Sequence, residues 1–180
     1  SVSERNLLGK GQFLRFRISA SSSRQQADIR FTEPYFMERN LAVGFDLYKV
    51  LTEYDESSYA TDATGLGLRA GFPLSEFSRV SARYTIRQDE IDPDSGASPA
   101  IAALAGTQLT SVFGYTYAYN DTDDPIKPNE GFVASFSQDF AGLGGDIEYY
   151  RTQLEARYFH RLFFEDVVGS IGVSAGWVDN

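Results

Sequence analysis

Apolar and polar side chains alternate without interruption in the stretch Leu14-Arg15-Phe16-Arg17-Ile18-Ser19-Ala20. Successive side chains of an extended strand point to opposite faces, so this stretch has one apolar face and one face of arginine and serine. Similar stretches of roughly ten residues, each followed by a polar turn, recur about nine times along the chain. The continuous apolar runs of a doubly covered sheet are missing. The pattern therefore predicts an all-β protein, an antiparallel transmembrane β-barrel of the outer-membrane type with an apolar outside and a polar inside.

The composition of the 180 residues excludes several classes of protein. Aromatic residues make up 14% of the chain, more than a disordered chain contains. The net charge of -9 argues against a general nucleic-acid binder, which has a basic patch. The chain has no cysteine and one histidine, His160, so thiolate and multi-histidine metal sites are excluded. We predict no cofactor, no metal and no enzymatic activity.

Strand boundaries follow from the alternation and the turn residues between the stretches. The apolar segment 99–105 lies in the longest interruption of the pattern and is compatible with a short helix. If the turn at 22–25 faces outward, the loops at 53–58, 89–107 and 140–146 do too, and those at 33–40, 73–78, 120–131 and 160–166 face inward. The inward turns carry prolines and aromatic residues, among them Phe77, Phe163 and Phe164, as expected of an interfacial girdle. The predicted strands are 12–21, 26–32, 41–52, 59–72, 79–88, 108–120, 131–139, 147–159 and 167–178.

Charged side chains on the polar face are the candidates for a functional role. We interpret them as the lining of a water-filled lumen, in which they pair across neighbouring strands. The alternative is an anion-selective pore lined by arginine, although intervening acids weaken its field. The candidates are Arg15, Arg17, Arg30, Arg69, Arg83, Arg87, Arg151, Arg157, Asp28, Asp46 and Glu155, with Arg79 on the same face.

Three further groups have simple interpretations. Alternate tyrosines at 115, 117 and 119 predict a lipid-facing belt; a carbohydrate-stacking platform is the alternative. The acidic run at 121–124 has Pro125 directly behind it and lacks the spacing of a calcium loop, so we interpret it as a solvated turn. His160 has no nucleophile and acid nearby in the sequence, which predicts no catalytic site.

Four turn sequences resemble, in order, the turns of the BamA family of outer-membrane protein assembly factors. Any one of them is a weak signal, but four in order on a matching strand pattern are fairly specific. In the last of them, Asn129 stands where the family usually has threonine. They are Asn6-Leu7-Leu8-Gly9-Lys10-Gly11, Thr32-Glu33-Pro34-Tyr35-Phe36, Gly71-Phe72-Pro73-Leu74-Ser75-Glu76 and Pro128-Asn129-Glu130-Gly131.

The resemblance implies that residues 1–180 are part of a C-terminal β-barrel domain, about the third to eleventh strands of a sixteen-stranded barrel. The family's POTRA repeats, its remaining strands with the lateral gate, and its arginine loop would be absent from this chain. The four turns would be structural and would lie on the periplasmic side.

The implied function is the folding and insertion of outer-membrane proteins in a bacterial outer membrane, by strand templating at a lateral gate and without covalent chemistry. Implied partners are membrane lipid, unfolded outer-membrane protein clients and accessory lipoproteins. We expect no nucleic acid among the partners. The alternatives are an outer-membrane pore, or a polypeptide translocator of the two-partner secretion or translocation and assembly module type.

Overall fold

Ten β-strands form most of the protein. The computed structural model describes residues 1–54, 59–162 and 167–179. Besides the strands, it contains a one-turn 3-10 helix at Phe36–Glu38 and a short α-helix, α1, at Pro99–Ala102. The strands are β1 Val2–Leu7, β2 Gln12–Ala20, β3 Arg24–Glu33, β4 Ala42–Tyr54, β5 Tyr59–Pro73, β6 Ser78–Pro93, β7 Gly106–Asn120, β8 Gly131–Ala141, β9 Tyr149–Arg161 and β10 Val168–Asp179.

All ten strands belong to one antiparallel sheet in which each strand pairs with its neighbours in sequence. Among the described residues the sheet is open, with β1 at one edge and β10 at the other. The predicted fold class is confirmed, since a meander of antiparallel strands in sequence order is the architecture of an outer-membrane barrel wall. No helix in the described ranges is both long and apolar enough to cross a bilayer.

The predicted strand count was one too low. The missed strand, β1, pairs with β2 from Val2 opposite Phe16 to Leu7 opposite Gln12, with an irregularity after Glu4. Its sequence, VSERNL, lacks a regular alternation of apolar and polar residues, so the pairing with β2 and not the local pattern makes it a strand. The predicted short helix is present, and the side chain of Ser98 caps it by accepting a hydrogen bond from the backbone of Ile101.

Register divides the sheet into two chemically distinct faces, because residues directly opposite each other on paired strands share a face. The apolar face is exposed: Leu68 is 48% and Phe113 is 39% accessible, and Ala63 is the one buried hydrophobic residue among those described. A large apolar surface this exposed marks a face that contacts a partner or a membrane. One apolar row crosses eight strands as Leu14, Phe31, Phe45, Leu68, Tyr84, Phe113, Phe140 and Tyr150.

Because the strands run in alternate directions, the turns alternate between the two ends of the sheet. The turns after β1, β3, β5 and β7 share one end, and these are the four turns that resemble the BamA family. The opposite end carries the turn after β2, the segment with α1 and the glycine-rich loop after β8. Residues 55–58 of the predicted acidic turn, and Phe163 and Phe164 of the predicted girdle, lie outside the described residues.

Candidate functional site

The strand register places every predicted lumen-facing charge on a single face of the sheet, which we call the polar face. Arg15 lies opposite Arg30, which lies opposite Asp46 on the next strand. Arg69 lies opposite Arg83. Arg17 lies opposite Asp28. Because every second residue of a strand lies on the same face, β6 and β9 add five more charged residues to the polar face, which are Arg79, Arg87, Arg151, Glu155 and Arg157.

Asp46 binds two arginines from the strands on either side of it. Arg30 Nε lies 2.5 Å from its Oδ1, and Arg69 donates to its Oδ2. Arg69 also donates to the backbone carbonyl of Phe31 at 3.0 Å and to the hydroxyl of Thr32 at 2.6 Å. The carboxylate thus joins β3, β4 and β5 through charge-assisted hydrogen bonds.

A glycine makes room for this arrangement. A side chain at Gly44 would place its Cβ 2.9 Å from Nε of Arg69 and 2.5 Å from the carbonyl oxygen of Phe31. Real Cβ atoms do not approach so closely, so Arg69 reaches across β4 because residue 44 has no side chain.

Asp139 forms the second and most buried Arg–Asp–Arg group. It is 1% exposed, and its Oδ2 accepts from Arg151 Nε at 3.0 Å and from Arg151 Nη2 at 2.5 Å. Arg83 donates to its other oxygen from two strands away, across Gly114. A Cβ at Gly114 would overlap the carboxylate of Asp139 and would lie 3.1 Å from Nε of Arg83.

Sequence reasoning missed Asp139, although the signal was present. Along β8, Val133, Ser135, Ser137 and Asp139 alternate with Phe132, Ala134, Phe136, Gln138 and Phe140. That period of two assigns Asp139 to the polar face. The roles of Gly44 and Gly114 had no sequence signal, because they depend on arginines that lie on other strands.

Asp28 forms the third and loosest group. Its carboxylate oxygens lie 3.5 Å from Arg15 and 3.9 Å from Arg17. Nε of Arg15 is buried and has no hydrogen-bond partner within the described residues. At these distances the pairs provide long-range attraction more than directed hydrogen bonds.

The remaining predicted charges are not brought into such groups. Arg87 pairs with Asp89 on its own strand, with nitrogen–oxygen distances of 2.8 and 2.5 Å. Within the described residues, Arg79, Glu155 and Arg157 make no ion pair. The predicted ion pairs between strands are thus present in the middle of the polar face but not at its β9–β10 end.

The predicted tyrosine belt lies on the opposite, apolar face. Tyr115, Tyr117 and Tyr119 face Ala82, Val80 and Ser78 of β6. Tyr119 packs 6.4 Å from Phe77 and 6.3 Å from Phe132, measured between ring centroids.

The ring of His160 stacks on the ring of Tyr158, with 6.2 Å between the ring centroids. Across the described parts of the chain, no group of three or more possible metal ligands is found.

The turn that joins β7 and β8 is organised by an acidic residue. Asp123 accepts hydrogen bonds from the backbone of Asn129 at 2.8 Å and of Glu130 at 3.1 Å, and Arg161 lies 3.4 Å away. These backbone donors, first that of Glu130, hold the pKa of Asp123 well below its usual range. The backbone amides of Lys127 and Ile126 lower the pKa of Asp124 in the same way. Protein donors thus satisfy these carboxylates.

The turns at the same end are tied to each other. The side chain of Asn6 accepts from the backbone of Gly11 at 2.7 Å, and Gly9 and Gly11 have φ angles of 72° and 70°. Gln12 donates to Glu33 at 2.5 Å, which joins this turn to the next. Glu33 also accepts from the backbone of Tyr35 at 3.2 Å. The turns after β1 and β3 are thus hydrogen-bonded to each other at this end of the sheet.

Comparison with known proteins gives a consistent result. The sequence model of the Omp85 superfamily domain matches residues 6–180. The outer membrane protein assembly factor BamA of Nitratidesulfovibrio vulgaris is 27% identical over 165 residues, which are 90% of this chain and 21% of that protein. The human sorting and assembly machinery component 50 homolog is 25% identical over 170 residues, 90% of this chain and 35% of that protein.

A solved structure shows the same fold. The crystal structure of BamA from Haemophilus ducreyi lacking POTRA domains 1-3 superimposes with a TM-score of 0.70 at 15% sequence identity. The match covers 97% of this chain and 37% of that one. The chain thus spans between about a fifth and about a third of the length of these curated relatives, 21% and 35%.

Proposed function

Because the chain belongs to the Omp85 superfamily, we propose that it forms part of the barrel wall of an outer-membrane protein assembly factor. The observation that carries the proposal is the family match over residues 6–180, on a sheet that follows the BamA barrel. Relatives named for outer-membrane protein assembly, and for sorting and assembly machinery, support it. The role is the folding and insertion of other barrel proteins into an outer membrane.

The mechanism we propose involves no covalent chemistry. A strand edge of the parent barrel templates the strands of a client by β-augmentation, in which backbone hydrogen bonds supply the affinity. This strand edge belongs to the lateral gate, and the strands of this chain provide the rigid wall beside or opposite that gate. The Asp46 and Asp139 groups support this role, because the first ties together β3, β4 and β5 and the second ties together β6, β8 and β9.

The location and partners are part of the same proposal. The apolar face of the sheet contacts lipid. The clients of the parent protein are unfolded outer-membrane proteins, and accessory lipoproteins assist it. We propose a bacterial outer membrane, with POTRA repeats and further strands in the parent protein. Since the relatives include bacterial and animal proteins, the source of the chain decides which outer membrane it occupies.

The test is client folding by the complete parent protein in lipid vesicles. An unfolded outer-membrane barrel protein is added to vesicles with and without the parent, and its folded fraction is followed over time. We expect the parent to accelerate folding. Equal rates with and without it would overturn the proposal, and secretion of a polypeptide across the same vesicles would instead support the translocator.

A matched pair of variants tests whether the barrel wall contributes to client folding. Asp139→Asn breaks the most buried ionic group, whereas Asp28→Asn breaks the loosest one. We expect slower client folding with the first variant than with the second. Client folding at the wild-type rate in both variants would show that this wall is not needed for the activity.

A further inference from the structure

A group of hydrogen-bonded side chains lies on the apolar face of β7, β8 and β9. Gln138 of β8 lies directly opposite Tyr115 on one side and Thr152 on the other. The amide carbonyl of Gln138 accepts from the hydroxyl of Tyr115. Its amide nitrogen donates to the hydroxyl of Tyr150 and, at 3.3 Å, to that of Thr152. We call these four residues the Gln138 cluster.

The Gln138 cluster has more hydrogen-bond donors than it uses. Its amide has two N–H groups and its three hydroxyls have one O–H each, so it contains five donor hydrogens. Three of them are used inside the cluster, and elsewhere in the described ranges its side chains have no acceptor. Two hydrogens are therefore available to an acceptor from outside the sheet. Turning the amide over would change which groups hold these hydrogens but not their number.

The surroundings of the cluster change from polar to apolar along the strands. Tyr150 is the second residue of β9, so the cluster lies close to the end of the sheet that carries the loop after β8. Trp177 lies opposite Thr152, is 60% exposed, and packs edge-on against Tyr150 with 6.1 Å between ring centroids. Away from the loop, the same face continues with Leu154 and Val173, which are 46% and 65% exposed. Tryptophan and tyrosine are enriched where the hydrocarbon of a bilayer meets its polar layer.

We propose that the Gln138 cluster binds the acyl ester carbonyl of a membrane lipid, whose chain lies over Leu154 and Val173. Hydrocarbon offers no acceptor, and a donor left unsatisfied in a bilayer is costly. The ester carbonyl is the acceptor that a lipid presents where its polar part meets its chains. This inference rests on the proposed contact of the apolar face with lipid but not on client folding, so either can fail without the other.

The test is native mass spectrometry of the complete parent protein in a neutral detergent. The protein is mixed with equal amounts of two phosphatidylcholines that have the same chain length, one with ester-linked and one with ether-linked chains. We expect the ester-linked lipid to be retained over the other by about fivefold, as for one net hydrogen bond. Equal retention of the two lipids by the wild-type protein would overturn the proposal.

Four substitutions made together remove every donor of the cluster. Because donors and acceptors are removed together and the side-chain shapes are nearly kept, we expect the sheet to form and the preference for the ester-linked lipid to disappear. Tyr117→Phe removes a hydroxyl from the same face outside the cluster, and it should leave the preference within about twofold. An equal loss of preference in this control would refute the location. The four substitutions are Tyr115→Phe, Gln138→Leu, Tyr150→Phe and Thr152→Val.

A second measurement needs no variant and decides the matter if the fourfold variant does not fold. A phospholipid with a photoreactive group beside its ester carbonyl is incorporated into vesicles that contain the parent protein. After illumination, labelled peptides are identified by mass spectrometry. We expect the labels to concentrate in the segments 136–140, 150–154 and 173–177. Labels spread evenly over the apolar face would overturn the site.

Discussion

Replacing Asp139 by asparagine should destabilise the barrel wall more than any other single removal of charge on the polar face. The residue is 1% exposed, and its carboxylate accepts from Arg83 and Arg151. Removing one member of a buried ionic group costs about 3–5 kcal/mol because the other charge stays uncompensated. Here the arginine side chains are 44% and 40% exposed, so water replaces part of the lost interaction. We therefore expect a loss of about 2 kcal/mol.

The measurement is urea unfolding of the complete parent protein folded in lipid vesicles, followed by circular dichroism. A loss of about 2 kcal/mol lowers the midpoint by roughly 0.7–2 M urea for slopes of about 1–3 kcal/mol/M. Asp28→Asn is the matched control. Its arginine partners lie 3.5 and 3.9 Å away, so we expect a loss of about 0–1 kcal/mol. The reasoning is wrong if Asp139→Asn unfolds at the wild-type midpoint, or if Asp28→Asn costs as much.

Three further predictions concern other parts of the sheet. Gly114→Ala should lower the urea midpoint clearly and Gly67→Ala only slightly, because a Cβ at Gly114 overlaps a carboxylate whereas one at Gly67 stays 3.7 Å from its nearest neighbour; equal effects would contradict this. Asp123 has a lowered pKa in the folded state, so the stability it adds is present above the unfolded pKa of about 3.9 and is lost as the pH falls towards the folded value. The stability difference between wild type and Asp123→Asn should thus be constant from about pH 7 to 5 and shrink below about pH 4; a difference that disappears near pH 6 would refute the assignment. Leu68→Arg should cost about 2–4 kcal/mol in vesicles if its side chain lies near the bilayer midplane, whereas Thr85→Arg on the polar face should cost far less; similar losses would mean that the two faces have been assigned wrongly.

The strands and their faces were largely predictable from the sequence. The period of two places Leu14, Phe16 and Ile18 together on one side without any knowledge of neighbouring strands. The turn residues then locate the strand ends to within a few residues, except at β6, which continues to Pro93, five residues beyond its predicted end at 88. β1 was missed because its six residues have no regular apolar alternation, and only its pairing with β2 makes it a strand.

The candidate site was predictable in composition but not in its contacts. The face of each predicted arginine follows from its position along one strand. Which aspartate it binds depends on the register between strands, and a shift of one residue would move every side chain to the other face. The four turn sequences added information that the alternation of apolar and polar residues lacks, since they indicated the protein family before any contact was known.

The sequence alone thus determined a two-faced antiparallel sheet with an apolar outside, because side-chain alternation is a property of each strand by itself. Tertiary structure alone decided that Asp46 and Asp139 each hold two arginines and that Gly44 and Gly114 must lack side chains. The physical reason is that these contacts join residues from different strands. Their distances are set by the pairing register and by the space that each glycine leaves, and neither is encoded in a local stretch of sequence.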